Sequence, residues 1–406
     1  MEGPVIENME SLKLNNNYEN NLYKHFQGGP HAPEGSRGML EYTSLVSNKE
    51  ALTNEKIDPA IEKMVNSVIE SWLSSPNSVE PFMAMRDILE EVRQLPPDNE
   101  RIRKMNSIVR TLGQPDKIAA YLDMLRDSAT RYGTAEQKIV SEKLQAVKMH
   151  SIYGWCGNTL LVESLDSPTK GTYRSNPELG RKLGNAPAAW NLTLHIWQPN
   201  LTAKGFPIDS PLLDTNSILE PPHSHPFNFV SKIVKGAMHQ SIYKQRDARI
   251  PRTAVDANNK IAGYYDQSGL IHVDGLWPPH DFHETRGLQT LENRVLLKEG
   301  DSYYMPCDWI HDVEFDANTA ASKPSISLFF SSEYVVMPHV YMTQAMADFH
   351  SQNPDIKRNG APISEDAWHK KLKAISAYLR GESETLDLNK IVNWRREYAF
   401  FNVKRR

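Results

Sequence analysis

Near Tyr153 the chain changes the period of its apolar residues, and that change limits the fold more than any other feature. Upstream the spacing is helical. Ile61, Met64, Val65, Val68, Ile69 and Trp72 recur at i, i+3 and i+4 and predict one buried stripe. Asp58 before Pro59 supplies a start signal, because the carboxylate can accept from the first free N–H groups and proline gives up an N–H that would be unpaired. Ile88, Val92 and Leu95 form a further stripe, Ile102 to Leu112 another, and Ile118, Leu122 and Leu125 another. Pro96-Pro97 and Gly113-Gln114-Pro115 separate them. Thr134 with Gln137 resembles a capping box ahead of a helix carrying Ile139 to Val147.

Downstream of Tyr153, short alternating segments rich in Trp, Tyr, Ile and Val predict strands. In the stretch Trp190 to Trp197, Leu192, Leu194 and Ile196 share one face while Thr193, His195 and Trp197 share the other. Further strands are expected over Phe229 to Val234, Ala237 to Tyr243, Val295 to Leu297, Ser302 to Met305, Asp312 to Phe315 and Ser325 to Ser331. Many short strands without intervening helices point to a barrel or jelly roll, not a parallel sheet. Helical texture returns after Pro338, with Ser364 as a cap before Trp368, Leu372, Ile375 and Leu379. The expected division is a mostly disordered segment over 1–50, an α-helical region over 51–150, a β-barrel metal domain over 151–340 and C-terminal helices over 341–406. The fold class is α+β.

With 406 residues, 39% of them hydrophobic, the chain can bury a sizeable core. Its formal charge of −4 gives no reason to expect nucleic acid or an anionic membrane surface. The basic and aromatic stretch Asn393 to Arg406 reads as a docked terminal helix with exposed charges. No secretory signal and no apolar run of membrane-spanning length are present, and Cys156 and Cys307 are the only cysteines, so a cytoplasmic location is the default expectation.

The chemistry is concentrated in Pro221 to Gly236 and Gly300 to His311. His223 and His225, one residue apart on a strand, project to the same face and can share one metal ion. His311 can bring a third imidazole from another strand. Nitrogen ligands of this kind suit Fe, Zn, Cu or Ni better than Mg or Ca.

These stretches resemble the cupin superfamily. Its first motif, His-x-His followed by a Glu and a Gly, is matched by His223, His225 and Gly236, with Phe229 where the Glu would stand. Its second, Gly…Pro…Gly…His, is matched by Gly300, Pro306 and His311, with Asp308 replacing the second Gly. The resemblance covers about Trp190 to Ser331 and leaves both helical regions unexplained. Three neutral imidazoles leave the full charge on the metal, so an anionic substrate group can bind beside dioxygen. Among cupins that arrangement looks like the thiol dioxygenases, the cysteine dioxygenase-like group. The likeness extends to Trp190 through Trp197, to His311-Asp312-Val313-Glu314 and to Ile326-Ser327-Leu328.

The resemblance implies a mononuclear iron(II) oxygenase acting with O2 on a small thiol or amino-acid-like substrate, with Zn, Ni and Mn as alternative metals. It implies a substrate-carboxylate arginine upstream of Trp190, for which Arg174 is preferred over Arg181. The Cys–Tyr crosslink of the animal-type family cannot form, because Phe229 or Val230 and, approximately, Ser331 hold those positions. Tyr303 is a candidate for hydrogen bonding a bound oxygen species, although Met305 shares its strand parity. His239 reads as a wall residue, His280 and His283 as surface residues on a loop, and Cys307 is left out of the catalytic set. The segment 244–291 reads as an insertion relative to shorter family members. Two other readings stay open: a metal-dependent isomerase or lyase, and a small-molecule-binding module without turnover. The helical regions leave room for a carrier-protein or homodimer contact.

Overall fold

The computed structural model describes residues 44–75, 80–93, 95–96, 98–128, 152–153, 159–163, 192–198, 217–225, 227–249, 264–268, 285–307, 309–320, 322–332, 339–342 and 365–388. The expected helix over Ile139 to Val147, and Arg174, Arg181, His280, His283 and Cys156, lie outside them.

Among the described residues, five helices come first: α1 (Leu45–Asn54), α2 (Pro59–Ser74), α3 (Glu80–Arg93), α4 (Asn99–Leu112) and α5 (Pro115–Ser128). Asp58 caps α2 as its sequence context requires, accepting from the Ala60 and Ile61 N–H groups. The stripe Ile61, Val65, Val68, Ile69 and Trp72 is buried. Asp98 caps α4 in the same way through the Arg101 N–H. Helix α1 begins at Leu45, near the end of the segment over 1–50 that was expected to be mostly disordered. Its moderate apolar content gives little local signal. Partners distant in sequence hold it, as Leu45 is fully buried and the Glu292 carboxylate accepts from the Leu45 and Val46 N–H groups.

The strands are β1 (Ile152–Tyr153), β2 (Thr159–Glu163), β3 (Leu192–Trp197), β4 (Ser217–His223), β5 (Phe229–Lys235), β6 (Ala237–Arg249), β7 (Tyr264–Ser268), β8 (Thr285–Lys298), β9 (Ser302–Met305), β10 (Ile310–Asp316), β11 (Ser325–Ser331) and β12 (His339–Met342). A one-turn helix α6 (Ala317–Ala320) and helix α7 (Glu365–Leu379) complete the described elements. All pairings are antiparallel. One sheet has the order β1-β2-β3-β11-β5-β9. The other runs β10-β4-β12-β7-β8-β6, and β6 pairs with β10 again. Strands β6 and β8 are longer than the apolar alternation suggested, with pairing out to Gln245↔Leu288 and Arg249↔Arg286. Within 244–291, which read as insertion, the described residues are sheet: both strand extensions and β7.

Side-chain alternation sorts the first sheet into two faces. Leu192, Leu194, Ile196, Val230, Tyr304 and Leu328 join the helices in one apolar core. Trp197, Phe229, Ile233, Tyr303, Met305 and Phe329 point the other way and join Met238, Ile242, Val313 and Phe315 of the second sheet. The order of layers is therefore helices, first sheet, second sheet. Both cores are continuous across elements far apart in sequence, as burial of apolar surface requires. Strand β9 is the edge of the first sheet, and α1 covers it. Asn48 donates to the Tyr304 carbonyl and accepts from the Tyr304 N–H, while the Thr53 hydroxyl serves the Ser302 N–H and carbonyl. Among the described residues no helix is long and apolar enough to cross a membrane.

Candidate metal centre

Register brings the histidines together. His311 on β10 is the direct cross-strand partner of His223 on β4, and His225 follows just beyond the end of β4. The pairing shifts between His311 and Val313, so Pro221 and Pro222 fall at an irregularity in the ladder. Prolines lack the N–H that a regular ladder would use, and bulges of this kind re-aim the residues beside them. One possible ligand atom from each of His223, His225 and His311 lies within 4.8 Å of the others. The Nε2 atoms of His225 and His311 are 2.9 Å apart. With metal–nitrogen bonds of about 2.1 Å, two ligands at a right angle stand about 3.0 Å apart and two at the tetrahedral angle about 3.4 Å. The observed spacing matches the right angle, and the convergence of two ring nitrogens at this distance suits a shared cation.

The electrostatics favour the ligand form. Burial pushes the pKa values of His225 and His311 well below their ordinary range, and the neighbouring imidazoles push in the same direction. Both rings are thereby neutral at pH 7, as coordination demands. No carboxylate or thiol joins the cluster among the described residues. Phe229 stands where an acidic ligand would be expected, with its ring 4.9 Å from that of His225 and 6.4 Å from that of His311. Directly opposite Phe229 on β11 is Ser331.

The surroundings were only partly foreseen. Tyr303 and Met305 both face the interior between the sheets, and Tyr304 faces the helices, which settles the parity of β9. The Tyr303 hydroxyl accepts from Gln240 Nε2 at 2.9 Å, and its ring lies 6.2 Å from that of Phe229. His239 alternates with the inward Met238 and Gln240 and so lies on the opposite face of β6, paired with Glu314. Cys307 is buried, and its backbone N–H donates to Asn228 Oδ1.

His195 was missed as a site residue. It shares the inward face of β3 with Trp197, is half-buried, and makes edge contacts at 4.9 Å with both Trp197 and Phe329. Burial, with the charge of His223 adding to it, pushes its pKa down to about 3. The alternation in Trp190 to Trp197 had already placed His195 beside Trp197, and that was the available signal. Asp312 follows His311 on β10. Its buried carboxylate accepts from the Ser241 N–H and from the Tyr243 hydroxyl behind the His311 strand position.

No family model matches the chain, and no curated protein sequence matches it. Among solved structures it is similar to a single-residue variant of oxalate decarboxylase from Bacillus subtilis, at 9% identity over 46% of this chain and 28% of that chain, with a TM-score of 0.20. It is similar to 11S globulin from Wrightia tinctoria, at 10% identity over 50% of this chain and 34% of that chain, with a TM-score of 0.22. It is also similar to L-ribose isomerase of Cellulomonas parahominis, at 14% identity over 62% of this chain and 96% of that chain, with a TM-score of 0.26. These are cupin-fold proteins. The chain spans about a third or less of the length of the decarboxylase and the globulin. At such TM-scores the likeness fixes no activity, and the chemistry has to come from the histidines.

Proposed function

We propose that this chain is a cupin-type metalloenzyme in which His223, His225 and His311 hold one divalent metal ion, with iron(II) favoured and Zn, Ni or Mn as alternatives. The observation that supports it is the donor set: three convergent imidazoles with a phenyl ring in place of the acidic ligand. A bound metal would supply a 2+ centre whose charge its ligands leave unneutralised, able to attract an anionic substrate group and to polarise it. The reaction proposed is O2-dependent oxidation of a small thiol or amino-acid-like substrate. Within it, this chain's residues hold the metal, exclude water through Phe227, Phe229 and Phe329, and keep the His225 and His311 rings neutral. Arg174 is proposed to bind the substrate carboxylate.

The same donor set favours a second reading equally. An unneutralised 2+ centre also serves Lewis-acid isomerase or lyase chemistry without O2. The deciding experiment starts with anaerobic purification, metal analysis and the variants His223→Ala, His225→Ala and His311→Ala. Roughly one metal per chain, lost in each variant, supports the centre, and O2 uptake with thiols or amino acids supports the oxygenase. Turnover that ignores O2 selects the isomerase or lyase. A wild-type protein that binds small molecules without any metal would leave a binding module instead.

A further inference from the structure

Two buried polar atoms beside the proposed metal centre have no hydrogen-bond partner among the described residues: His311 Nδ1 and Gln240 Oε1. His311 is 3% exposed and Gln240 1% exposed. Their strands are paired in continuous register, with His311↔Ile242 and Val313↔Gln240, so the two side chains stand on one face as diagonal neighbours. They are chemically complementary. When an imidazole ligates a metal through Nε2, its proton resides on Nδ1, which becomes a donor. An amide oxygen can only accept. Leaving either buried and unmet is costly, and leaving both is a cost that one contact removes.

The amide orientation also has a cause. Gln240 Nε2 donates to the Tyr303 hydroxyl at 2.9 Å, which turns Oε1 away from Tyr303. The reverse orientation would face the NH2 group toward the Nδ1–H donor of His311.

We infer that Gln240 is a positioning residue for the metal centre: its Oε1 takes the Nδ1–H of His311, by a small rotation or through one bridging water, and Tyr303 fixes the amide. The inference rests on the metal-binding reading and deepens it. It also gives Tyr303 a positioning role in place of contact with a bound oxygen species. Outer partners of this kind set the ring plane and basicity of a ligating histidine, and their loss typically weakens metal binding by roughly 10–100-fold.

The test uses the full chain loaded with cobalt(II), comparing wild type with Gln240→Met, Tyr303→Phe and the acceptor-retaining Gln240→Glu. Two readouts are taken: the cobalt dissociation constant by chelator competition, and the paramagnetically shifted, solvent-exchangeable imidazole N–H signals. The expected result is a roughly 10–100-fold weaker affinity in Gln240→Met, with one N–H signal lost to fast exchange, and recovery of that signal in Gln240→Glu. Tyr303→Phe should show a smaller loss in the same direction, and it decides the matter if Gln240→Met does not fold. Wild-type affinity and an undiminished set of N–H signals in Gln240→Met or, failing that, in Tyr303→Phe would overturn the inference alone. A wild-type protein that takes up no cobalt would overturn the metal-binding reading along with it.

Discussion

The role of α1 predicts a large cost for a single polar substitution, Asn48→Ala. Asn48 is fully buried and its amide acts as a surrogate neighbouring strand, accepting from the Tyr304 N–H at 3.0 Å and donating to the Tyr304 carbonyl at 3.1 Å. Alanine leaves a buried donor and a buried acceptor of the β9 edge without partners. Each such group costs about 1–3 kcal/mol, so the substitution should destabilise the region by about 2–6 kcal/mol. Thr53→Val, which removes the hydroxyl serving Ser302 while keeping its shape, should cost about 1–2 kcal/mol. Hydrogen exchange resolved to the β9 peptide is the sensitive assay, since about 2 kcal/mol corresponds to roughly thirtyfold faster exchange where opening is local. Because β9 also carries Tyr303, cobalt affinity should fall with it. A change in β9 exchange below about twofold, with the urea midpoint unmoved, would refute the claim that α1 completes this sheet edge.

Three further outcomes are expected from the structure. The metal-free protein should lose stability as pH falls below about 6.5, because His195, His225 and His311 have lowered folded-state values and the unfolded chain therefore takes up more protons. His195 alone, pushed down to about 3, should contribute about 1.4 kcal/mol of that loss at pH 5.5, and added metal should protect the part due to His225 and His311. Thermal melts with and without cobalt at pH 7.5 and 5.5 check both statements. Gly236→Ala should cost about 2 kcal/mol or more in urea unfolding, since Gly236 has φ +79° and a Cβ there would lie 2.8 Å from Ser325 Oγ and 3.0 Å from Ser325 Cα. Asp58→Ala should cost about 1–2 kcal/mol by removing the α2 cap, whereas Asp58→Asn, which keeps the cap and loses the part-exposed Lys104 ion pair, should cost less than about 1 kcal/mol, both read from urea unfolding.

The parts of this fold that were legible in the sequence are those stabilised by neighbours close along the chain. Asp58-Pro59 and the stripe from Ile61 to Trp72 carry helix α2 in their own spacing, and the alternation from Leu192 to Trp197 carries β3. The outer halves of β6 and β8 were not legible, because Gln245, Arg249 and Arg286 offer no apolar period and are strands only by pairing with each other's segments. Helix α1 is the same case, with its N-terminus held by Glu292 and its middle by Tyr304. His223, His225 and His311 could be named in advance because two lie one residue apart and the third sits in a recognisable Gly…Pro…His setting. Gln240 could not. Its significance depends on an orphaned atom of its own and on another across a strand pair, and neither is a property of the local sequence.

The position of Phe229 connects the packing to the chemistry. A carboxylate there would have to be desolvated among Phe227, Phe329 and Tyr303, and only a bound cation could offset that cost. A phenyl ring instead joins the core between the sheets and stabilises it whether or not metal is present. The consequence falls on the centre: the three imidazoles must together supply all the donor strength of the cluster, and an imidazole ligand brings no charge of its own. A weaker, uncharged donor set depends more on how each ring is held, which gives the Tyr303–Gln240 arm behind His311 its importance. It also leaves the charge of a bound ion for the substrate to neutralise. In the proposed metalloenzyme, a preference for an anionic substrate group would thus follow from the apolar side chain at position 229, whose first role is packing.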